Sequence, residues 1–183
     1  NESNVKSIFM EGEMCFNDLC FPARFYTKQP KALRVEVSFQ NITFLQITND
    51  SLTWEYNPMT KINKLERIQA SDKKGNENTF NYASADLAFY KERGFKVKLL
   101  EKKKLDSLET FVVELTKPGH DKSTFYINTT SYLVNKVEDK NESWFFTSYK
   151  KFDALYFPMF MMQLNKDEVK MKFKTIDLNA HLS

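Results

Sequence analysis

Apolar and polar residues alternate with a period of two along most of this 183-residue chain, which is the pattern of β-strands with one buried face. In residues 33–39, for example, Leu, Val, Val and Phe alternate with Arg, Glu and Ser. Short polar turns separate successive segments of this kind, so segments that follow one another are expected to pair as hairpins. The pattern predicts a mostly β fold, an open sheet of about 11 to 13 antiparallel strands.

The first hairpin is predicted in most detail, because two kinds of residue pair agree on its register. With a two-residue turn at positions 17–18, Met10 faces Phe25 on a wholly apolar side of the hairpin. On the other side Glu11 faces Arg24, a pair of opposite charges. Both strands therefore indicate the same register.

The same register places Cys15 opposite Cys20 in a non-hydrogen-bonded pair, where cross-strand side chains come closest. That separation suits a disulfide, and a disulfide indicates an oxidising compartment. Two reduced thiols on one face of the sheet are the alternative interpretation.

Segment 84–94 interrupts the alternation and is predicted to be a short helix with a capping serine at its start and Gly94 at its end. Its apolar residues Leu87 and Phe89 are expected to pack on the sheet. The polar segment 69–83 before it is expected to be a loop that moves together with the helix.

The apolar side of the predicted sheet is rich in aromatic residues and methionine. The chain has 17 phenylalanines and 7 methionines, and methionine recurs on surfaces that accept varied apolar partners. One short helix is too small to cover so much apolar surface, which indicates a cavity for a ligand or partner. An ordinary core with methionine as a filler is the alternative. The predicted cavity residues are Met10, Met14, Phe21, Phe25, Val35, Val37, Phe39, Phe44, Trp54, Tyr56, Leu87, Phe89, Met159 and Met161.

Residues with catalytic or metal-binding patterns are scarce. The two histidines, His120 and His181, are too far apart in sequence to suggest a zinc site, and we find no nucleophile elbow or phosphate-binding glycine loop. The 27 basic and 24 acidic residues are interspersed, so no basic patch indicates a nucleic acid partner. We therefore predict a protein that is not an enzyme, with no catalytic residue, metal or cofactor.

Two short motifs resemble those of the outer-membrane lipoprotein-sorting (LolA/LolB-like) family of periplasmic lipoprotein carriers. That family has a Lys-Arg-Pro motif followed by Trp-x-Tyr-Asn-Pro, and the arginine position is Gln29 here. The matching residues in this sequence are Lys28, Gln29, Pro30, Trp54, Tyr56, Asn57 and Pro58.

The resemblance implies an open antiparallel β-barrel, or half-barrel, with a helical lid over an apolar cavity. It implies a single domain over residues 1–183. The sequence departs from the family's pattern in having no counterpart of its N-terminal helix before the first strand. The implied function is a monomeric carrier that binds lipoprotein acyl chains or other lipids and exchanges them with inner- or outer-membrane transfer proteins. Its implied location is the periplasm, either free or anchored to a membrane that faces it. An envelope protein-interaction or stress-sensing module on the same fold is the alternative, followed by a structural β-protein with a filled core.

Overall fold

The computed structural model describes residues 5–28, 32–49, 52–58, 64–68, 87, 90–140, 142–153, 155–165 and 168–181. These residues form thirteen strands. The strands are β1 (Ser7–Phe16), β2 (Leu19–Lys28), β3 (Ala32–Phe39), β4 (Ile42–Asn49), β5 (Leu52–Tyr56), β6 (Glu66–Ile68), β7 (Lys96–Leu105), β8 (Leu108–Thr116), β9 (Lys122–Asn128), β10 (Val134–Glu138), β11 (Ser143–Phe152), β12 (Leu155–Leu164) and β13 (Glu168–Leu178).

The strands form one sheet in the order β6-β5-β4-β3-β2-β1-β13-β12-β11-β10-β9-β8-β7. Strands that follow one another in sequence are neighbours, and the first strand also pairs antiparallel with the last. Within the described part of the chain β6 and β7 end this order without pairing with each other, so the sheet is open. The predicted open, mostly antiparallel β fold is thus confirmed.

The predicted helical lid over 84–94 is not supported, because within that segment the structure describes only Leu87 and residues 90–94. Residues 90–94 form a turn in which the amide of Gly94 donates to the carbonyl of Lys91 and the amide of Phe95 donates to that of Tyr90. These two bonds form the motif that commonly ends a helix at a glycine, and Gly94 has the positive φ that it requires. The expected loop at 69–83 lies outside the described residues, and among the described residues no helix is long and apolar enough to cross a membrane.

The first hairpin has the predicted register. Met10 pairs with Phe25, and Glu11 pairs with Arg24. The Arg24 guanidinium donates to the Glu11 carboxylate over 2.8 Å. The turn residue Asn17 has a φ of 52°, which asparagine tolerates better than most residues.

The chain divides into two compact units, each with its own buried residues. Unit one comprises Asn1–Lys74, Ser148–Phe160 and Val169–Ser183, and unit two comprises Gly75–Thr147 and Met161–Glu168. The most deeply buried side chains of unit one are Met10, Cys15, Phe25 and Met171, and those of unit two are Thr110, Leu115 and Phe125.

A β-bulge and a glycine allow β1 to pair with β13. The register between the two strands shifts between Glu11 and Gly12. A Cβ atom at Gly12 would overlap the backbone carbonyl oxygen of Lys172, so the close approach of the two backbones requires glycine here.

Candidate functional site

The strand register of unit one defines which side chains share a face of its sheet. Residues directly opposite each other on antiparallel strands point to the same side, and Met10, Phe25, Val35, Gln46 and Glu55 form one such row across β1 to β5. We call this side the core face. Its apolar members on β1 to β4 and β13 are Ile8, Met10, Met14, Phe16, Leu19, Phe21, Ala23, Phe25, Leu33, Val35, Val37, Phe39, Ile42, Phe44, Val169, Met171, Phe173, Ile176 and Leu178.

The centre of the core face is filled by the protein's own side chains. Phe25 and Met171 have no exposed surface, and Met10 has almost none. The rings of Phe25 and Phe173 pack edge to face with their centres 5.5 Å apart. A ligand could therefore reach this centre only by displacing these side chains.

One end of the core face is open to solvent. The turns after β1 and β3 lie at the same end of the sheet, because the strands alternate in direction. The side chains next to these turns remain accessible: Leu19 is 69% exposed, Phe16 44% and Phe39 45%. Half-buried Phe21 connects them, with its ring centre 5.4 Å from that of Phe39 and 6.4 Å from that of Phe16. We call these four residues the aromatic end.

Phe16 and Leu19 are not among the predicted cavity residues, although the predicted register of the first hairpin already places them on the apolar face. They are the closing pair of the first turn, and the register that pairs Met10 with Phe25 places them on the same face. Between the aromatic end and the buried centre lie Met14, Val37 and Phe44, which are half-buried. The apolar face thus runs without a break from exposed to buried side chains.

The structure does not bring Trp54 and Tyr56 to the core face. Trp54 pairs with Ile47, and their row continues through Arg34 and Tyr26 on the side opposite the core face. Tyr56 pairs with Leu45 on that same side. Sequence alone could not separate the two sets, because β4 has apolar residues on both of its faces. The predicted grouping of Trp54 and Tyr56 with Phe44 and Val35 on a single lining therefore does not match the observed register.

The remaining predicted residues belong to both units or lie outside the described residues. Met159 is buried in unit one, whereas Leu87 and Met161 belong to unit two. Phe89, Gln29 and Pro30 lie outside the described residues. Lys28 is exposed at the end of β2, and Asn57 and Pro58 follow β5. A role in ligand binding stays a prediction for each of these residues.

A charged network lies on the face opposite the core face. The hydroxyl of Tyr26 donates to Glu36 over 3.4 Å, and the Arg34 guanidinium forms an ion pair with Glu36 while lying over the Tyr26 ring. Burial, together with the charge of Glu36, raises the pKa of Tyr26. This network borders the apolar strip that contains Trp54, so that face combines charged and apolar surface.

Unit two contains a partly buried polar cluster. The Tyr126 hydroxyl donates to Glu138 over 2.7 Å, and the Lys136 ammonium forms an ion pair with the same carboxylate. Burial and the bond to Glu138 raise the pKa of Tyr126 to about 12. Burial also raises the pKa of Glu138, but the hydrogen bonds from Lys136 and Tyr126 outweigh this and hold it below its usual value. Since all three groups are partnered, the cluster is suited to stabilising the unit.

No family model and no curated protein matches the sequence, but solved structures share the fold. An outer membrane lipoprotein-sorting protein domain from Vibrio parahaemolyticus superposes with a TM-score of 0.67 at 17% identity, over 97% of this chain and 87% of that one. A DUF1329 family protein from Desulfovibrio piger gives 0.66 at 14% identity, over 98% and 88%. A LolA superfamily protein from Nitrosomonas europaea gives 0.62 at 12% identity, over 97% and 87%. This chain therefore has the LolA-like fold.

Proposed function

We propose that this protein is a carrier that binds the acyl chains of lipoproteins, or other lipids, on the core face of unit one. The observation that carries the proposal is the continuous apolar surface from the exposed aromatic end to the buried centre. Exposed apolar patches that continue into an apolar interior are typical of ligand entry sites.

The physical basis of such a carrier is burial of apolar surface. Each methylene group removed from water contributes roughly 0.8 kcal/mol, so contact with a few methylenes already gives measurable binding. Displacing half-buried Met14 and Phe44 would offset part of this gain, and methionine rearranges easily. A carrier needs such a balance because it must also release its ligand, and it needs no reacting group.

The location and partners of the carrier follow from the same proposal. Two of the structural neighbours are named as lipoprotein-sorting or LolA superfamily proteins, which supports acyl-chain binding in the periplasm. The disulfide between Cys15 and Cys20 supports an oxidising compartment. We propose that the protein acts as a monomer, without enzymatic activity, and exchanges its ligand with membrane-bound transfer proteins.

The test is the uptake of a fluorescent acyl probe by the purified protein and by two matched variants. Leu19 and Leu108 each follow a two-residue hairpin turn, and both are exposed, but only Leu19 belongs to the aromatic end. Leu19→Asp should weaken probe binding by about tenfold, because it removes contact with one or two methylene groups of the probe and adds a charge. Leu108→Asp should bind the probe like the wild type.

Two results would count against the carrier. One is a wild-type protein that takes up no probe, and the other is an equal loss in the two leucine variants. The second candidate function, a protein-interaction module, is favoured by the half-buried apolar strip of Leu45, Ile47, Trp54 and Tyr56 on the face opposite the core face. For that module, Trp54→Gln should weaken partner binding and leave probe uptake unchanged.

A further inference from the structure

The edge strand β7 concentrates positive charge. It ends the sheet order and, among the described residues, pairs only with β8. Nine of its ten residues are exposed. The strand contains five lysines and one glutamate, which is more net positive charge than the +3 of the entire chain. Its lysines are Lys96, Lys98, Lys102, Lys103 and Lys104.

Carboxylates near β7 offset only part of this charge. Glu109 stands opposite Lys104, and the charge of Lys103 acts on the carboxylate of Glu138. In the part of the chain that the structure describes, none of the five lysines forms an ion pair. Glu114 stands opposite Lys98, but its carboxylate is held by Lys122 at 3.1 Å. The ammonium of Lys102 lies over the Phe111 ring, 5.0 Å from its centre, which leaves its charge at the surface.

Exposed apolar side chains accompany the lysines. Leu99 is 58% exposed and Leu100 45%, and Val97 on the same strand is also exposed. The register of β7 with β8 shifts between Leu99 and Glu101, which marks a bulge at Leu100. Lysines beside exposed leucines are the combination found on surfaces that lie at a membrane interface, where charge meets the headgroups and leucine meets the acyl boundary.

A lipid surface fits β7 better than an added β-strand does. Lysines on both faces of an edge strand, together with a bulge, discourage the backbone pairing that a partner strand needs. Neither feature hinders attraction to anionic headgroups, which depends on accessible charge and not on backbone geometry. We propose that β7 docks this protein on the surface of an anionic lipid bilayer.

Docking by β7 is separate from acyl-chain binding on the core face. It uses residues of unit two, whereas the proposed carrier site lies in unit one. A variant that loses docking and still takes up the acyl probe would separate the two functions, so either proposal can fail without the other.

The test measures flotation with large unilamellar vesicles, made either of phosphatidylcholine alone or with about a quarter of phosphatidylglycerol. The β7 variant is Lys98→Gln, Lys102→Gln, Lys104→Gln. The control variant is Lys140→Gln, Lys150→Gln, Lys172→Gln, which removes the same charge from exposed positions elsewhere. Wild-type protein should bind the anionic vesicles, and binding should fall as salt is added.

The β7 variant should lose about tenfold or more of this binding, and the control variant about twofold or less. Leu99→Ser combined with Leu100→Ser should weaken binding severalfold and leave its salt dependence unchanged. Circular dichroism of each variant verifies that its strands are intact.

Four results would overturn the proposal. They are no binding of wild-type protein to anionic vesicles, equal binding to neutral vesicles, an equal loss in the control variant, and full competition by an equal charge concentration of double-stranded DNA. An equal loss in the control variant would mean that net charge alone drives the binding. Full competition by DNA would mean that the lysines bind polyanions in general.

Discussion

Phe25 of β2 packs edge to face against Phe173 of β13, at an interplanar angle of 77°. The two rings join a strand near the start of the chain to its last strand, on either side of β1. Since Phe25 has no exposed surface, this contact is part of the hydrophobic core that holds β1, β2 and β13 together.

Phe25→Ala should therefore lower the free energy of unfolding by about 3 to 5 kcal/mol, the usual cost of removing a buried phenyl ring. Phe39→Ala, at a half-exposed ring of the same face, should cost about 1 kcal/mol. Urea denaturation followed by circular dichroism measures both. Equal costs at the two positions would contradict a core centred on Phe25.

The Gly12→Ala variant should be strongly destabilised, because the added methyl group would overlap the Lys172 carbonyl and force β1 and β13 apart. We expect a loss above about 2 kcal/mol, the scale of overpacking against a rigid backbone. Gly94→Ala is the control: its Cβ would have open space, so only the positive φ opposes it, at a cost of about 1 kcal/mol. A smaller loss for Gly12→Ala than for Gly94→Ala would show that β13 moves aside easily.

The disulfide between Cys15 and Cys20 closes a loop with a sequence separation of only 5. Chain entropy for such a short loop predicts a contribution of about 2 kcal/mol to stability. Thermal unfolding with and without reductant should show this loss in the wild type and no effect of reductant on a Cys15→Ala, Cys20→Ala variant. An unchanged wild-type midpoint under verified reduction would mean that the turn at 17–18 alone holds the hairpin.

Stability should fall in alkaline solution because of Tyr126. Its pKa is about 12 in the folded protein, above the ordinary tyrosine value of about 10. A raised pKa contributes stability that is complete below about pH 10 and is lost as the pH rises toward 12. Urea denaturation between pH 9 and pH 12 should show a shallower decline for Tyr126→Phe. Tyr132→Phe, at an exposed site, is the matched control and should retain wild-type stability at neutral pH.

The accuracy with which the sequence predicts strand pairing differs from strand to strand. The first hairpin was predictable to the residue, because Glu11 with Arg24 and Met10 with Phe25 agree on one register. The face of the sheet on which Trp54 lies was not predictable, because β4 has apolar residues on both of its faces. Pairing of β1 with β13 joins distant segments through a bulge in β13, opposite Glu11 and Gly12, which no local pattern signals.

Charge placement was equally hard to read from the sequence. The run Lys102–Lys104 suggests a turn, but it continues β7 as far as Leu105, and only the sheet order shows that β7 is an edge. The division of the chain into two units depends on contacts between strands. The alternation of apolar and polar residues along the chain does not determine these contacts.

Placement of Trp54 on the face opposite Phe21 leads to the last prediction. If acyl chains bind on the core face, a brominated acyl chain should quench a tryptophan at position 21 and leave Trp54 unaffected, because bromine quenches only at close contact. Trp144→Phe isolates the fluorescence of Trp54, and Phe21→Trp in a Trp54→Phe, Trp144→Phe background reports on the core face. Strong quenching of Trp54 with none at position 21 would move the ligand to the other face, next to Ile47 and Leu45. Quenching at position 21 alone would place it at the aromatic end.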